Sequence, residues 1–201
     1  MRKTVINRKI GTLLLSLGIV FLVFALALAA YNYYENIMAG QNANELMEEL
    51  NKTIGISKKT IPDYLLNPNK EMPTLEIDGY LYIGTIFLPT LNIELPVMST
   101  WSYEQLLIAP CRYEGSVYNG TAVIAAHNYD SHFGRLNKLD IGDEVVFKDV
   151  EGNLIPFKVA VKEVLSPFDV DRMVDSNYDL TLFTCTIGGA YRVTIRCKLD
   201  S

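Results

Sequence analysis

From Ile10 to Tyr31 the chain runs through 22 residues without a charge, IGTLLLSLGIVFLVFALALAAY. As a helix rising about 1.5 Å per residue, such a run spans roughly 33 Å, the thickness of one hydrocarbon core. The pattern then changes. Glu35 to Asn51 is polar and helix-compatible, with Ile37, Met38, Leu46, Met47 and Leu50 as its apolar positions. That spacing predicts a solvated juxtamembrane helix packed loosely on the exported domain, or not at all. Asn51 to Pro73 carries Thr, Ser, Lys, Asn and the prolines Pro62, Pro68 and Pro73, a spacer composition. From about Thr74 short β-type segments alternate with turn residues. They are 80–83, 85–88, 91–95, 121–126, 144–147, 154–165, 180–184 and 191–199, the last alternating Arg/Thr outward with Val/Ile/Cys inward. Short helical pieces are expected near Ser102–Leu107 and His132–Leu139. Regular short strands without long intervening amphipathic helices predict an all-β barrel or sandwich rather than a parallel α/β fold. The expected organisation is a basic tail over 1–9, a membrane anchor over 10–31, a juxtamembrane helix and spacer over 32–73, and one β domain over 74–201.

Charge orients this plan. Arg2, Lys3, Arg8 and Lys9 precede the apolar run and no acidic residue does, which predicts a cytoplasmic N-terminus and an exported remainder. A cleaved signal peptide competes, since Ala25-Leu26-Ala27 and Ala27-Leu28-Ala29 offer small-x-small sites, but secretory apolar regions are typically about 7–15 residues. The mean hydropathy of +0.15 is raised largely by that one block. Of 18 Lys and Arg only 14 lie beyond the tail, against 23 Asp and Glu, so the exported part carries −9. An acidic chain of pI about 5.1 is a poor ligand for nucleic-acid phosphates. Three cysteines, Cys111, Cys185 and Cys197, are too few and too odd for a disulfide framework, and leave one thiol as a candidate reactive group.

Chemistry-bearing residues gather at segment ends. His127 closes the apolar run Val123–Ala126, where an imidazole on a rigid strand exit is placed for proton transfer. His132 reads as an ordinary loop histidine that caps a short helix. Cys185 ends Leu180–Thr184 ahead of Gly188-Gly189, whereas Cys197 alternates with Val193 and Ile195 and reads as a core residue. Cys111, in Ala-Pro-Cys-Arg, reads as a loop residue, free or paired with Cys197. A tight hairpin through Gly188-Gly189 brings Arg192 beside Cys185, where a guanidinium stabilises a thiolate and a developing oxyanion. Arg196 on the same strand serves as the solvent-facing comparison. Cys, His and Arg at three strand ends form a constellation suited to nucleophilic catalysis.

Thr181-Leu182-Phe183-Thr184-Cys185, read as TLxTC, resembles the signature of the sortases, membrane-anchored cysteine transpeptidases of Gram-positive surfaces. Tyr191-Arg192-Val193-Thr194-Ile195-Arg196 is similar to their arginine strand, and Val123-Ile124-Ala125-Ala126-His127-Asn128 to their histidine strand. Ile86-Phe87-Leu88-Pro89 through Leu95-Pro96-Val97 is similar to their early strands. The resemblance covers roughly 81–199. It implies an eight-stranded β-barrel with short helices behind one transmembrane helix. Cys185 would attack the Thr–Gly carbonyl of an LPxTG-like sorting signal, and His127 would exchange protons with the leaving and incoming amines. Arg192 would hold substrate or stabilise the oxyanion, with Thr184 hydrogen-bonding near it. The implied partners are surface proteins with such signals and an amine acceptor, a cell-wall precursor or a pilin lysine. No cofactor and no metal is implied.

Several features depart from the family pattern. The Cys185-to-Arg192 loop is short, Ala126 stands where glycine is common, and neither a second apolar run nor an aromatic lid motif is visible. The last two lead away from a pilus-polymerising member and leave the subclass open. Two other functions remain in view, a plain thiol protease and a non-catalytic membrane-tethered barrel that binds wall polymer or protein.

Overall fold

The computed structural model describes residues 2–55 and 61–200. Helix α1 runs Arg2–Thr53, and the chain divides into two compact units, Met1–Met38 and Ala39–Ser201. From Gly11 to Tyr31 the helix of the first unit carries no charge, and its large side chains, Leu13, Phe21 and Phe24 among them, are exposed. A stretch of helix without a charged face satisfies its own backbone and suits a lipid environment, so it is a candidate membrane anchor.

The second unit begins with the end of α1, and this end is firmly packed. Ala39, Ala43, Met47, Leu50 and Ile54 are all buried. Their spacing of three or four places them on one face. Ala43 joins the main core, and Leu50 and Ile54 join a second cluster with Tyr82, Met98 and Cys111. The expected loose packing is therefore corrected. Two of the five contacts are alanines, which do not mark a hydrophobic face in sequence but allow close approach. Gly40 extends this approach, since a Cβ there would lie 3.1 Å from the Ser131 Cβ. The spacer is also anchored, because Tyr64 of α2 (Asp63–Leu66) stacks on Tyr118 with centroids 4.8 Å apart.

Nine strands make up the sheet among the described residues: β1 Leu75–Ile77, β2 Tyr80–Leu88, β3 Ile93–Met98, β4 Cys111–Glu114, β5 Ala122–Ala125, β6 Glu144–Asp149, β7 Leu154–Leu165, β8 Leu180–Cys185 and β9 Arg192–Leu199. They pair in the order β1-β2-β3-β4-β5-β8-β9-β7-β6, and β6 returns to β2. Eight strands, β2 to β9, thus close into the expected barrel, with β1 as a short flap on β2. Closure satisfies the two edges that an open sheet would expose. Pairing is antiparallel except at β3–β4 and β5–β8, which are parallel. Short helices lie in the connections, α3 Tyr103–Leu106 and α4 Val170–Val174, and Ser102 caps α3 by accepting the Gln105 N–H at 3.1 Å.

The segments 80–83 and 85–88 form one strand, bent by a register shift between Tyr82 and Gly84. Beyond that bend β2 pairs with β3 on one side and β6 on the other. Every second residue of each strand points inward, so Ile86, Leu95, Ile124, Phe147, Leu182 and Ile195 meet in the interior. Asp149 is buried at the β6 end, where it accepts from Tyr118 Oη at 2.6 Å and Asn153 Nδ2 at 2.7 Å.

Candidate active site

Alternation that sends Leu180 and Leu182 inward sends Thr181, Phe183 and Cys185 to the outer face of β8. In the parallel β5–β8 ladder Val123 pairs with Thr181 and Ala125 with Phe183. The ladder continues one rung further, as the Ala126 N–H donates to the Phe183 carbonyl at 3.2 Å. The same register carries His127 to the level of Cys185. On the other side β9 pairs antiparallel with β8, and Arg192 is the direct partner of Cys185. A tight turn makes this possible: Gly188 and Gly189 sit at φ +83° and +76°. Cys185, His127 and Arg192, each expected from the sequence, line one groove with a cavity of about 210 Å³.

Thr184 alternates to the inner face and is buried, and it too lines this groove. Its hydroxyl donates to the Ala126 carbonyl at 2.8 Å, tying the strand end that bears Cys185 to the one that bears His127. The Arg192 Nη1 donates to the carbonyls of Gly189 at 3.0 Å and Tyr191 at 3.1 Å. These bonds brace the hairpin from within.

The groove walls were not legible in the sequence. Trp101 and Tyr103 come from the β3–β4 connection, and Ser166 to Met173 from the β7–β8 connection. Tyr113 and Phe183 form the aromatic floor, in edge-to-face contact with centroids 5.5 Å apart, and Trp101 lies 5.3 Å from Tyr113. Such a lining suits apolar side chains of an extended peptide. No group of three or more His, Cys, Asp or Glu close enough to hold a metal ion occurs among the described residues.

The other two cysteines are free and buried. Cys111 lies in β4, not a loop, and belongs to a different core cluster from Cys197, so the two do not pair. Burial pushes both thiols up to about 12, which keeps them protonated and unreactive. Cys185 is half-exposed at its strand end.

His132 is not a surface histidine. It is fully buried beside Tyr129, with ring centroids 5.6 Å apart, and neither nitrogen makes a hydrogen bond of normal geometry among the described residues. Burial holds its pKa down at about 4, with the Ala39 backbone working weakly the other way and His127 adding to the depression. The folded protein refuses a proton that the unfolded chain accepts from about pH 6.5 downward. Stability is therefore expected to fall by about 3 kcal/mol as pH drops from about 6.5 to 4. Urea unfolding at several pH values checks this. His132→Phe should remove that part of the acid slope, and an identical slope in both proteins would contradict it.

A closed barrel presenting a half-exposed thiol, an imidazole and a guanidinium in one aromatic-floored groove defines a β-barrel protein with a thiol-bearing cleft. A sortase-domain family model matches residues 86–200, more than half of the chain, and the chain belongs to the sortase family of cysteine transpeptidases. Solved structures agree in fold. Sortase C from Streptococcus pneumoniae is similar with a TM-score of 0.56 and 22% identity, covering 84% of this chain and 89% of that one. Sortase A from Corynebacterium diphtheriae gives 0.55 and 20%, covering 83% and 84%. A Clostridium perfringens sortase D5 transpeptidase gives 0.55 and 18%, covering 80% and 97%. These three classes are equally similar, so the fold assigns no subclass. No curated protein sequence matches the chain.

Proposed function

We propose that the protein is a membrane-anchored sortase that cleaves an LPxTG-like signal and transfers the acyl fragment to an amine. The reading has the N-terminus in the cytoplasm and the barrel outside, on the charge distribution around the apolar run. The observation that carries the site assignment is the register of three adjacent strands: Cys185 opposite Arg192 across β8–β9, with His127 one step beyond the β5–β8 ladder.

The Cys185 thiolate attacks the carbonyl carbon of the Thr–Gly bond, forming a C–S bond and a tetrahedral oxyanion. Arg192 opposes that negative charge. Collapse breaks the C–N bond, and the His127 imidazolium gives its proton to the departing amine. An incoming amine from a cell-wall precursor or a pilin lysine then gives a proton to His127 and attacks the thioester. The C–N bond forms, the C–S bond breaks and the thiolate returns. Thr184, with its proton directed to Ala126, serves by fixing the relative height of Cys185 and His127.

The test is incubation of the full chain with a panel of sorting-signal peptides, with and without an added amine, read by mass spectrometry. Amide product appearing at the expense of free acid is expected. Free acid alone at every amine concentration would indicate a thiol protease, and no cleavage would favour a binding module.

A further inference from the structure

Arg196, expected to face solvent, is 2% exposed. Alternation does put it on the outer face of β9, but that face is covered. Its Nε donates to Glu163 Oε1 of β7 at 2.9 Å, and its Nη1 to Thr181 Oγ1 of β8 at 2.9 Å. Nη1 also reaches the Met173 carbonyl at 2.9 Å, and Nη2 reaches the Arg172 carbonyl. The last two acceptors belong to α4. One planar guanidinium therefore joins two barrel strands to the helix of the β7–β8 connection, using the fork geometry that lysine lacks.

That connection forms one wall of the groove, contributing Ser166, Pro167, Asp169, Val170 and Met173. Its apolar hold on the barrel is one small cluster, in which Met173 is buried with Val123 and Leu165 and flanked by half-buried Tyr113, Val174 and Phe183. The remaining attachment is polar and centres on Arg196. Glu163 completes it, accepting from Arg196 through Oε1 and from Arg172 through Oε2 at 3.0 Å. A buried charge is costly unless it is paired and its donors are satisfied. Here two of its four bonds hold β7 and β8 and the other two hold α4, which fixes the height of α4 above the sheet. Arg196 itself is four rungs from the Cys185–Arg192 pair, opposite Thr181, and does not line the groove.

We propose that Arg196 is a positioning residue for peptide binding: it clamps α4 at the spacing that sets the width of the substrate groove. The consequence for turnover rests on the sortase reading above, whereas the clamp itself does not. Loosening the wall weakens capture of an extended peptide and leaves the thiol's own reactivity unchanged.

The test uses the full chain in detergent. Hydrogen exchange of wild type and Arg196→Met should differ over 166–179, with faster exchange in the variant and little change in the β5–β8 ladder. With the peptide cleaved fastest by wild type, KM should rise about 10-fold or more. The kcat should stay within about 3-fold, and Cys185 alkylation by iodoacetamide should keep the wild-type rate. Arg196→Lys should fall between the two. If Arg196→Met does not fold, Thr181→Val and Glu163→Gln, which each remove one contact, carry the same test with KM increases of about 2–5-fold. Unchanged exchange over 166–179 overturns the clamp, and so does a fall in kcat and alkylation rate at constant KM. A wild-type protein that cleaves no peptide overturns the sorting-signal reading instead, and the exchange measurement then decides the clamp alone.

Discussion

Replacement of Cys185 by alanine is expected to reduce peptide cleavage by about 10³-fold or more, to the background rate, with the fold intact. Removing a nucleophile from a covalent mechanism forfeits the whole two-step path, because no other group takes over the attack. The alternatives are closed by position: Cys111 and Cys197 are fully buried, with thiols pushed up to about 12. Cys185 is half-exposed and belongs to none of the hydrophobic clusters, so the loss of its sulfur should barely affect stability. Chromatographic assay of the cleaved peptide gives the rate, and intact-mass measurement shows whether a thioacyl adduct forms. Iodoacetamide should label the native wild type once and the variant not at all. Cleavage above about 1% of the wild-type rate, with the variant folded, would remove Cys185 from the mechanism.

Gly84→Ala is expected to be strongly destabilising. Gly84 sits at φ +151°, and an added Cβ would lie 2.1 Å from the Lys148 carbonyl oxygen and 2.9 Å from the Asp149 Cα. Both neighbours are backbone, so no side chain can rotate aside. The clash falls where β2 pairs with β6, the contact that closes the barrel. Relief requires the closing strands to separate, at a cost of about 4 kcal/mol or more. For a chain of this size that is about 10 °C or more in Tm, measured by circular dichroism. A Tm within about 3 °C of wild type would show that the β2–β6 pairing contributes little to closure.

Strands with alternating or continuous apolar residues were legible in the sequence, as was the barrel they build. Two strands were not. The three residues of β1 are too few to show a period, and β4 mixes Arg112 and Glu114 behind Pro110, which reads as a loop. Pairing made both visible, since strand identity there depends on a partner rather than on local pattern. The hairpin that sets Arg192 beside Cys185 was legible because Gly188-Gly189 fixes the turn. His127 was legible as a strand end. Arg196 and His132 were misread for a shared reason. Alternation and loop composition tell which way a side chain points, not what lies over it. Arg196 is covered by α4, and His132 is buried next to Tyr129 and the Ala39 backbone. α4 over Arg196 and Ala39 over His132 both come from chain that is distant in sequence, and the groove walls obey the same rule.

The parallel ladder between β5 and β8 has a consequence for how the chain acquires activity. Its partners, such as Ala125 and Phe183, are separated by the whole of β6, β7 and α4. Contacts between such distant residues are made late, because the entropy of closing the intervening loop is lost before they repay it. Cys185 and Arg192 are joined by a local turn and meet early; His127 reaches them only with the ladder. The β8–β9 hairpin that joins Cys185 to Arg192 is therefore expected to form before the β5–β8 ladder that brings His127 to their level.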